Sequence, residues 1–256
     1  MPLDGSVYLD RERAESFGTV AREYDRFRPS YPDELIDDLV ATAPRSVLDV
    51  GTGTGKAARL LAARGVPVLG VEIDPAMAAV ARGHGIEVEI GSFEQWDDAG
   101  RTFDLITSAQ AWHWVDPALA APKAARLLNP GGRLAVFWNV EEPDDATMRA
   151  LDAVYAERAP ELASTPEQRA GRKAERPSLT ALRASGAFRS VTEQTYLWTA
   201  TIPVDELVGR LGTHSDHLQL GAERRLALQD AVRRALLARG DEVALQGGTY
   251  TVYARP

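Results

Sequence analysis

The chain has 256 residues, 45% of them hydrophobic and 26% charged, enough for one large domain with a sizeable core. Its 37 Asp and Glu against 29 Lys and Arg leave a formal charge of −8, a poor match for nucleic-acid backbones. With no cysteine there is no disulfide framework, thiolate nucleophile or Cys-type zinc site. With no long apolar run and no apolar leader, a cytoplasmic protein without membrane contact is expected.

Residues 11–27, RERAESFGTVAREYDRF, place Phe17, Val20, Ala21, Tyr24 and Phe27 at helical spacing, with charges mostly on the other face. RPSYP (28–32) ends that helix, and Pro32 opens a second, PDELIDDLVATA, with Leu35, Ile36, Leu39 and Val40 as its buried stripe. The period then changes. SVLDV (46–50), PVLGVEI (67–73), IEVEI (86–90), FDLITSA (103–109) and RLAVFWN (133–139) predict five short strands. Between them lie a glycine loop leading into a helix to about Ala63, the helix PAMAAVARGH, and PALAAPKAARLL (117–128). Pro122 predicts a break or kink in the last, and NPGG (129–132) a turn. Strands alternating with helices predict an α/β fold, a mainly parallel sheet covered on both faces.

Residues 141–187, charged and with prolines at 143, 160, 166 and 177, predict short helices over the sheet edge, acting as a lid. FRSVTEQTYLWTA (188–200) and EVALQGGTYTVYARP (242–256) predict two more strands, separated by a helical stretch, 204–239. A glycine turn inside the second points to an antiparallel finish. The expected organisation is one domain over 1–256: a helical cap (1–43), a binding core (44–140), a helical insertion (141–187), and strands and helices completing the sheet (188–256).

The stretch VLDVGTGTGKAARLLA (47–62) reads as a nucleotide-type loop, and three ligands compete for it. A phosphate-binding P-loop fails twice: three residues separate Gly51 from Gly55 where four are needed, and Ala57 stands where a magnesium-binding hydroxyl belongs. A dinucleotide fingerprint matches in part, but Lys56 occupies the third glycine position, where close helix–strand packing is needed. S-adenosylmethionine has no phosphate; it carries a sulfonium, an ammonium and one carboxylate. Asp49, two residues before the first glycine, would repel a pyrophosphate yet can orient an ammonium, and a helix start favours a carboxylate. Glu72, 21 positions after Gly51 at a strand end, fits a ribose diol, as in NAD sites too.

VLDVGTGTGKAARLLA, VLGVEIDPAMAAVAR, FDLITSAQAWHWVDP and LLNPGGRLAVFWN, in this order and spacing, resemble the class I, Rossmann-like methyltransferases that use S-adenosylmethionine. YDRFRPSYP and AQAWHW are similar to the small-molecule branch, which includes trans-aconitate-type enzymes. The resemblance covers about residues 17–139 and loosens from 141. It implies a seven-stranded sheet with its last strand antiparallel. It implies that Asp49, Gly51, Gly53 and Gly55 line the methionine half, that Glu72 holds the ribose, that Ile73 packs on adenine, and that Ser92 and Phe93 border its edge. Many relatives carry Asp where this chain has Ser92; Glu94 is the neighbouring substitute. Ala109 and Gln110 are expected to approach the methionine by backbone. The N-terminal segment would fold over the cofactor, with Arg28 on its carboxylate and Tyr24 over the methyl.

Methyl transfer from a sulfonium is an in-line displacement, and a base is needed only where the acceptor is protonated. His113, after the fourth strand, is the candidate base, with Tyr24 beside it at the reacting centre. Tyr31, Trp112, Trp114 and His214 are the candidate walls of the acceptor pocket. HSDH (214–217) gathers His214, Asp216 and His217, but a metal site needs partners that the sequence does not show, so no metal is expected. The function expected is methylation of a small molecule at oxygen, on a carboxylate or hydroxyl, by analogy with the family. The rival readings are an NAD(P)-dependent oxidoreductase and a non-catalytic S-adenosylmethionine-binding protein. Nucleic-acid methylation is disfavoured by charge and by the absence of an Asn/Asp-Pro-Pro-Tyr/Phe motif after strand four.

Overall fold

A computed structural model describes residues 16–165, 168 and 177–256. The expected helix at 11–15 and most of 166–176 lie outside the described residues. Residues 16–20 form a 3-10 turn, followed by α1 (Ala21–Phe27) and α2 (Asp33–Val40). On α2, Leu35, Ile36 and Leu39 are fully buried, as their spacing requires. The alternating region gives β1 (Val47–Val50), α3 (Lys56–Ala62), β2 (Val68–Glu72), α4 (Pro75–Gly83), β3 (Glu87–Ile90) and β4 (Phe103–Ala109). A 3-10 turn (Trp112–Trp114), α5 (Pro117–Leu127) and β5 (Leu128–Pro143) follow. α4 and α5 start alike, with an aspartate cap and proline in the first turn. Asp74 accepts from the Ala76 and Met77 N–H groups, and Asp116 from that of Ala118. The remainder is α6 (Asp145–Arg158), α7 (Pro177–Ala184), β6 (Ser190–Pro203), α8 (Val204–Gly212), α9 (Ser215–Leu218), α10 (Ala222–Leu237) and β7 (Glu242–Arg255).

The seven strands form one sheet in the order β3-β2-β1-β4-β5-β7-β6. All neighbours are parallel except β7, which runs antiparallel to both β5 and β6. The antiparallel finish is as expected, but its cause is not. Gly247 and Gly248 do not turn; β7 pairs with β6 straight through them, and the Trp198 indole lies where a Gly247 side chain would be. Two further expectations are corrected. Pro122 sits inside an unbroken α5, and the carbonyl that it leaves unbonded, four residues back on Ala118, lies on the exposed side. NPGG is not a separate turn. Pairing of β4 with β5 jumps from Phe103↔Leu128 to Leu105↔Arg133, so these residues bulge out within the strand.

In the segment expected to be a lid, the described residues include the helices α6 and α7. Leu151 of α6 packs with Val204, Leu207, Leu228 and Leu236 in a core of its own beyond β7. Among the described residues no helix is long and apolar enough to cross a membrane.

Candidate functional site

After β1 the chain winds outward through β2 and β3, then returns to β4 on the other side of β1. That reversal opens a crevice at the carboxyl ends of β1 and β4, where open α/β sheets bind ligands. A cleft of about 900 Å³, counted to its open mouth, lies there. Gly51, Gly53, Glu72, Ile73, Ser92, Phe93, Ala109 and Gln110 all line it, under a roof of Phe17, Tyr24 and Trp114. A smaller chamber of about 390 Å³ adjoins it, sharing Tyr24, Gly51, Gly53, Ala109 and Gln110 and adding Arg28, Tyr31, Thr54 and Lys56.

Register explains the floor. Asp49 of β1 lies opposite Thr107 of β4, and the Thr107 hydroxyl donates to its carboxylate at 2.6 Å. The Thr52 hydroxyl donates to the other oxygen at 2.7 Å. Thr52 fits because β2 offers Gly70 opposite Asp49; a Cβ there would stand 2.6 Å from the threonine methyl. Asp49 is 1% exposed and lines neither chamber. Burial pushes its carboxyl up to about 6, against the two hydroxyl bonds that lower it. The sequence placed Asp49 against the ligand; the structure puts it beneath the loop.

Glu72 braces the loop from the side. One carboxylate oxygen accepts from the Gly53 N–H at 2.7 Å, the other from the Asp74 N–H at 2.9 Å. Burial raises its pKa, partly offset by those bonds. Gly51 is in the left-handed region at φ +65°, and a Cβ would meet the Ala111 methyl at 2.5 Å, so only glycine fits. Gly55 lies elsewhere: it opens α3 against Ala81 and lines neither chamber. On the opposite wall, Gln110 takes φ +59° at the end of β4, held by its N–H to the Phe137 carbonyl at 2.8 Å. The Ser92 hydroxyl is buried and meets no protein partner, so it is available to a ligand in the cleft.

The roof is aromatic. Phe17 meets Tyr24 and Trp114 edge-on, with centroids 5.8 and 6.1 Å away. The Arg28 guanidinium sits over the Tyr24 ring at 5.1 Å and donates to the hydroxyl and carbonyl of Thr213, each at 2.9 Å. Burial raises the Tyr24 pKa, against the Arg28 charge, so at neutral pH its phenol keeps its proton and is no base. Tyr31 is buried edge-on against Phe137 at 4.9 Å and walls the small chamber. Burial lowers the Lys56 pKa there.

Three expected residues are elsewhere. His113 lines neither chamber; its Nδ1 accepts from the Trp138 indole at 3.1 Å, which makes it part of an aromatic group with Trp138 and Tyr250. Trp112 is buried behind Phe93. His214 lies beyond Thr213; burial, then the charges of Arg28 and His217, hold its pKa well below the usual imidazole value. Phe17, Met77 and Lys56 line the chambers without having been named as site residues, although the helical spacing of Phe17 to Tyr24 was a usable signal.

Comparison with known proteins agrees with this geometry. The family described as "Methyltransferase domain" matches residues 48–136. An uncharacterized methyltransferase of Mycobacterium tuberculosis is 33% identical over 251 residues, spanning 95% of this chain and 97% of that one. Trans-aconitate 2-methyltransferase of Methylobacterium radiotolerans is 35% identical over 138 residues, 51% of this chain and 52% of the other. Among solved structures, a protein of Anaeromyxobacter dehalogenans assigned as a type II methyltransferase superposes with a TM-score of 0.60 at 22% identity. It covers 90% of this chain and 98% of its own.

Proposed function

Because the chain belongs to the class I S-adenosylmethionine-dependent methyltransferases, we propose that it methylates a small carboxylic acid at oxygen, beneath the Phe17–Tyr24 roof. The observation that carries this reading is the joined pair of chambers, an apolar slot running into a cationic end. In this assignment adenine lies against Ile73 and Phe93, with the Ser92 hydroxyl at its edge. Glu72 faces the ribose while holding the Gly51–Gly53 loop. The methionine half passes Gly51, Gly53, Ala109 and Gln110, and its carboxylate meets Arg28 and Lys56. Asp49 acts from below the loop, through Thr52, rather than by contact.

The acceptor follows from what lines the chambers. Among the described residues no histidine does, and the carboxylates there, Glu72 and Glu94, already accept main-chain N–H bonds. A wall without a ready base suits an acceptor that is already an anion, since a carboxylate attacks the methyl without losing a proton. The protein's task is then alignment and exclusion of water, with Tyr24 donating a hydrogen bond to the acceptor carboxylate. The trans-aconitate enzyme that shares half the chain adds support for an acidic acceptor.

Calorimetric titration with S-adenosylhomocysteine, run beside NAD⁺ and NADP⁺, tests the cofactor assignment; binding of the first alone is expected. Carboxylic acids, phenols and amines are then compared as acceptors by S-adenosylhomocysteine release. Turnover confined to phenols or amines would overturn the carboxylate assignment.

A further inference from the structure

Of the four histidines, two lie within four residues of each other, at His214 and His217, with Asp216 between them. Among the described residues these three form the one group whose His and carboxylate donors converge, with the donor atoms all within 4.8 Å of one another. We propose that His214, Asp216 and His217 bind a zinc-class divalent cation, with Tyr155 as the group that orients His217.

The donor set selects the ion. Two imidazoles and one carboxylate suit zinc, cobalt or nickel, whereas magnesium and calcium take oxygen donors almost alone. Three protein donors also leave a fourth tetrahedral position to water. The outer shell is already in place. A metal-bound histidine ordinarily hands its other ring N–H to an oxygen that fixes the ring. His217 is buried, its Nδ1 faces Asp216 Oδ1 at 2.8 Å, and its Nε2 meets the Tyr155 hydroxyl at 2.6 Å. Tyr155 comes from α6, 62 residues away in sequence. That is the partner the sequence alone could not supply.

The spacing leaves more than one adjustment, since donor atoms up to 4.8 Å apart must also close on the ion. Two ligands on a tetrahedral ion with bonds of about 2.0–2.1 Å stand about 3.3 Å apart. The 2.8 Å between Asp216 and His217 must therefore open by about half an ångström. Asp216 is the more exposed partner, its side chain 43% exposed against 7% for His217, but its Oδ1 also accepts from the His217 main-chain N–H at 2.8 Å, a bond that the shift must lengthen or pass to Oδ2. The Arg28 charge acts on His214 and opposes a cation, and the Asp216 carboxylate offsets it only in part. Position gives the site a consequence. His214 directly follows Thr213, which holds Arg28 over Tyr24 by two hydrogen bonds. A cation there would clamp the corner that aims Arg28 into the small chamber.

The test uses the full chain without an affinity tag, stripped with a chelator, and titrated with Co²⁺ followed by its visible absorption. One equivalent should bind with roughly micromolar affinity or better and give the intense bands of a tetrahedral ion. Mg²⁺ should give no competition. His214→Ala and Asp216→Asn, neither at a fully buried position, should each weaken binding at least about tenfold, and Tyr155→Phe by about tenfold. His84→Gln should leave it unchanged. Circular dichroism of each variant keeps loss of fold apart from loss of binding. Absence of saturable binding to the parent protein, or binding that survives both His214→Ala and Asp216→Asn, would overturn the proposal.

Discussion

Asp49 is sealed beneath the glycine loop with two threonine hydroxyls as partners, and burial lifts its carboxyl from an ordinary 3.8 to about 6. Between those values the folded chain holds a proton that the unfolded chain has released. The stability from this group is therefore complete below about pH 4 and is lost as pH rises through about 6. At neutral pH the ionised, buried form costs the ligand-free protein about 2–3 kcal/mol. The ammonium group of a ligand seated above the loop favours the ionised form, so S-adenosylhomocysteine, net neutral but carrying that ammonium, should release part of a proton on binding at pH 6 and none at pH 8. Calorimetry in two buffers of different ionisation enthalpy reads this directly. Asp49→Asn should raise the urea midpoint above pH 6, flatten its pH dependence and weaken binding by about tenfold. An unchanged pH profile in that variant would mean that Asp49 does not titrate in this window.

The cap segment is tied to its neighbouring helices by Asp25 as well as by the Arg28–Thr213 bonds. Asp25 of α1 takes Arg59 of α3 at 3.0 Å and His84, after α4, at 2.8 Å, which pins the roof to both helices beside the cleft. Partly exposed pairs of this kind are worth up to about 1 kcal/mol each. Asp25→Ala should weaken S-adenosylhomocysteine binding about fivefold and speed amide exchange across residues 16–27, as followed by mass spectrometry. Unaltered exchange would show that aromatic packing and the Arg28–Thr213 bonds hold the roof without Asp25. At this scale the sequence was informative where a period or a spaced motif is present: the Leu35–Ile36–Leu39 stripe, the glycine loop and Glu72. It was silent on phase. Trp112, His113 and Trp114 share one 3-10 turn, whose three residues per turn send consecutive side chains in three directions. One enters the core, one meets Trp138 and one reaches the cleft, and no spacing rule ranks them. β1 is buried on both faces, so alternation could not tell that Asp49 points below the loop.

Across the whole molecule, a mainly parallel sheet covered by helices was legible from the alternation of elements, whereas the strand order that makes the crevice and the packing of the helical layer beyond β7 were not. That layer unites α6, α8, α10 and the ends of β6 and β7, and none of its buried residues lines either chamber. Its link to the site runs through the end of α8, where Thr213 holds Arg28. The Arg225 guanidinium and the Gln229 amide dock the first half of α10 on α8, at the carbonyls of Gly212 and Val208. Leu236 lies about 10 Å further along α10, seven residues at 1.5 Å each, and is 2% exposed. Leu236→Ala should therefore cost about 2–5 kcal/mol in urea unfolding while S-adenosylhomocysteine affinity stays within about twofold. Phe93→Ala, which opens the central core and the cleft wall together, should lower both. The contrast depends on the far end of α10 stabilising the fold without positioning Arg28. If Leu236→Ala loses affinity in step with stability, the helical layer and the binding cleft open as one unit, and the two-layer division of the molecule fails.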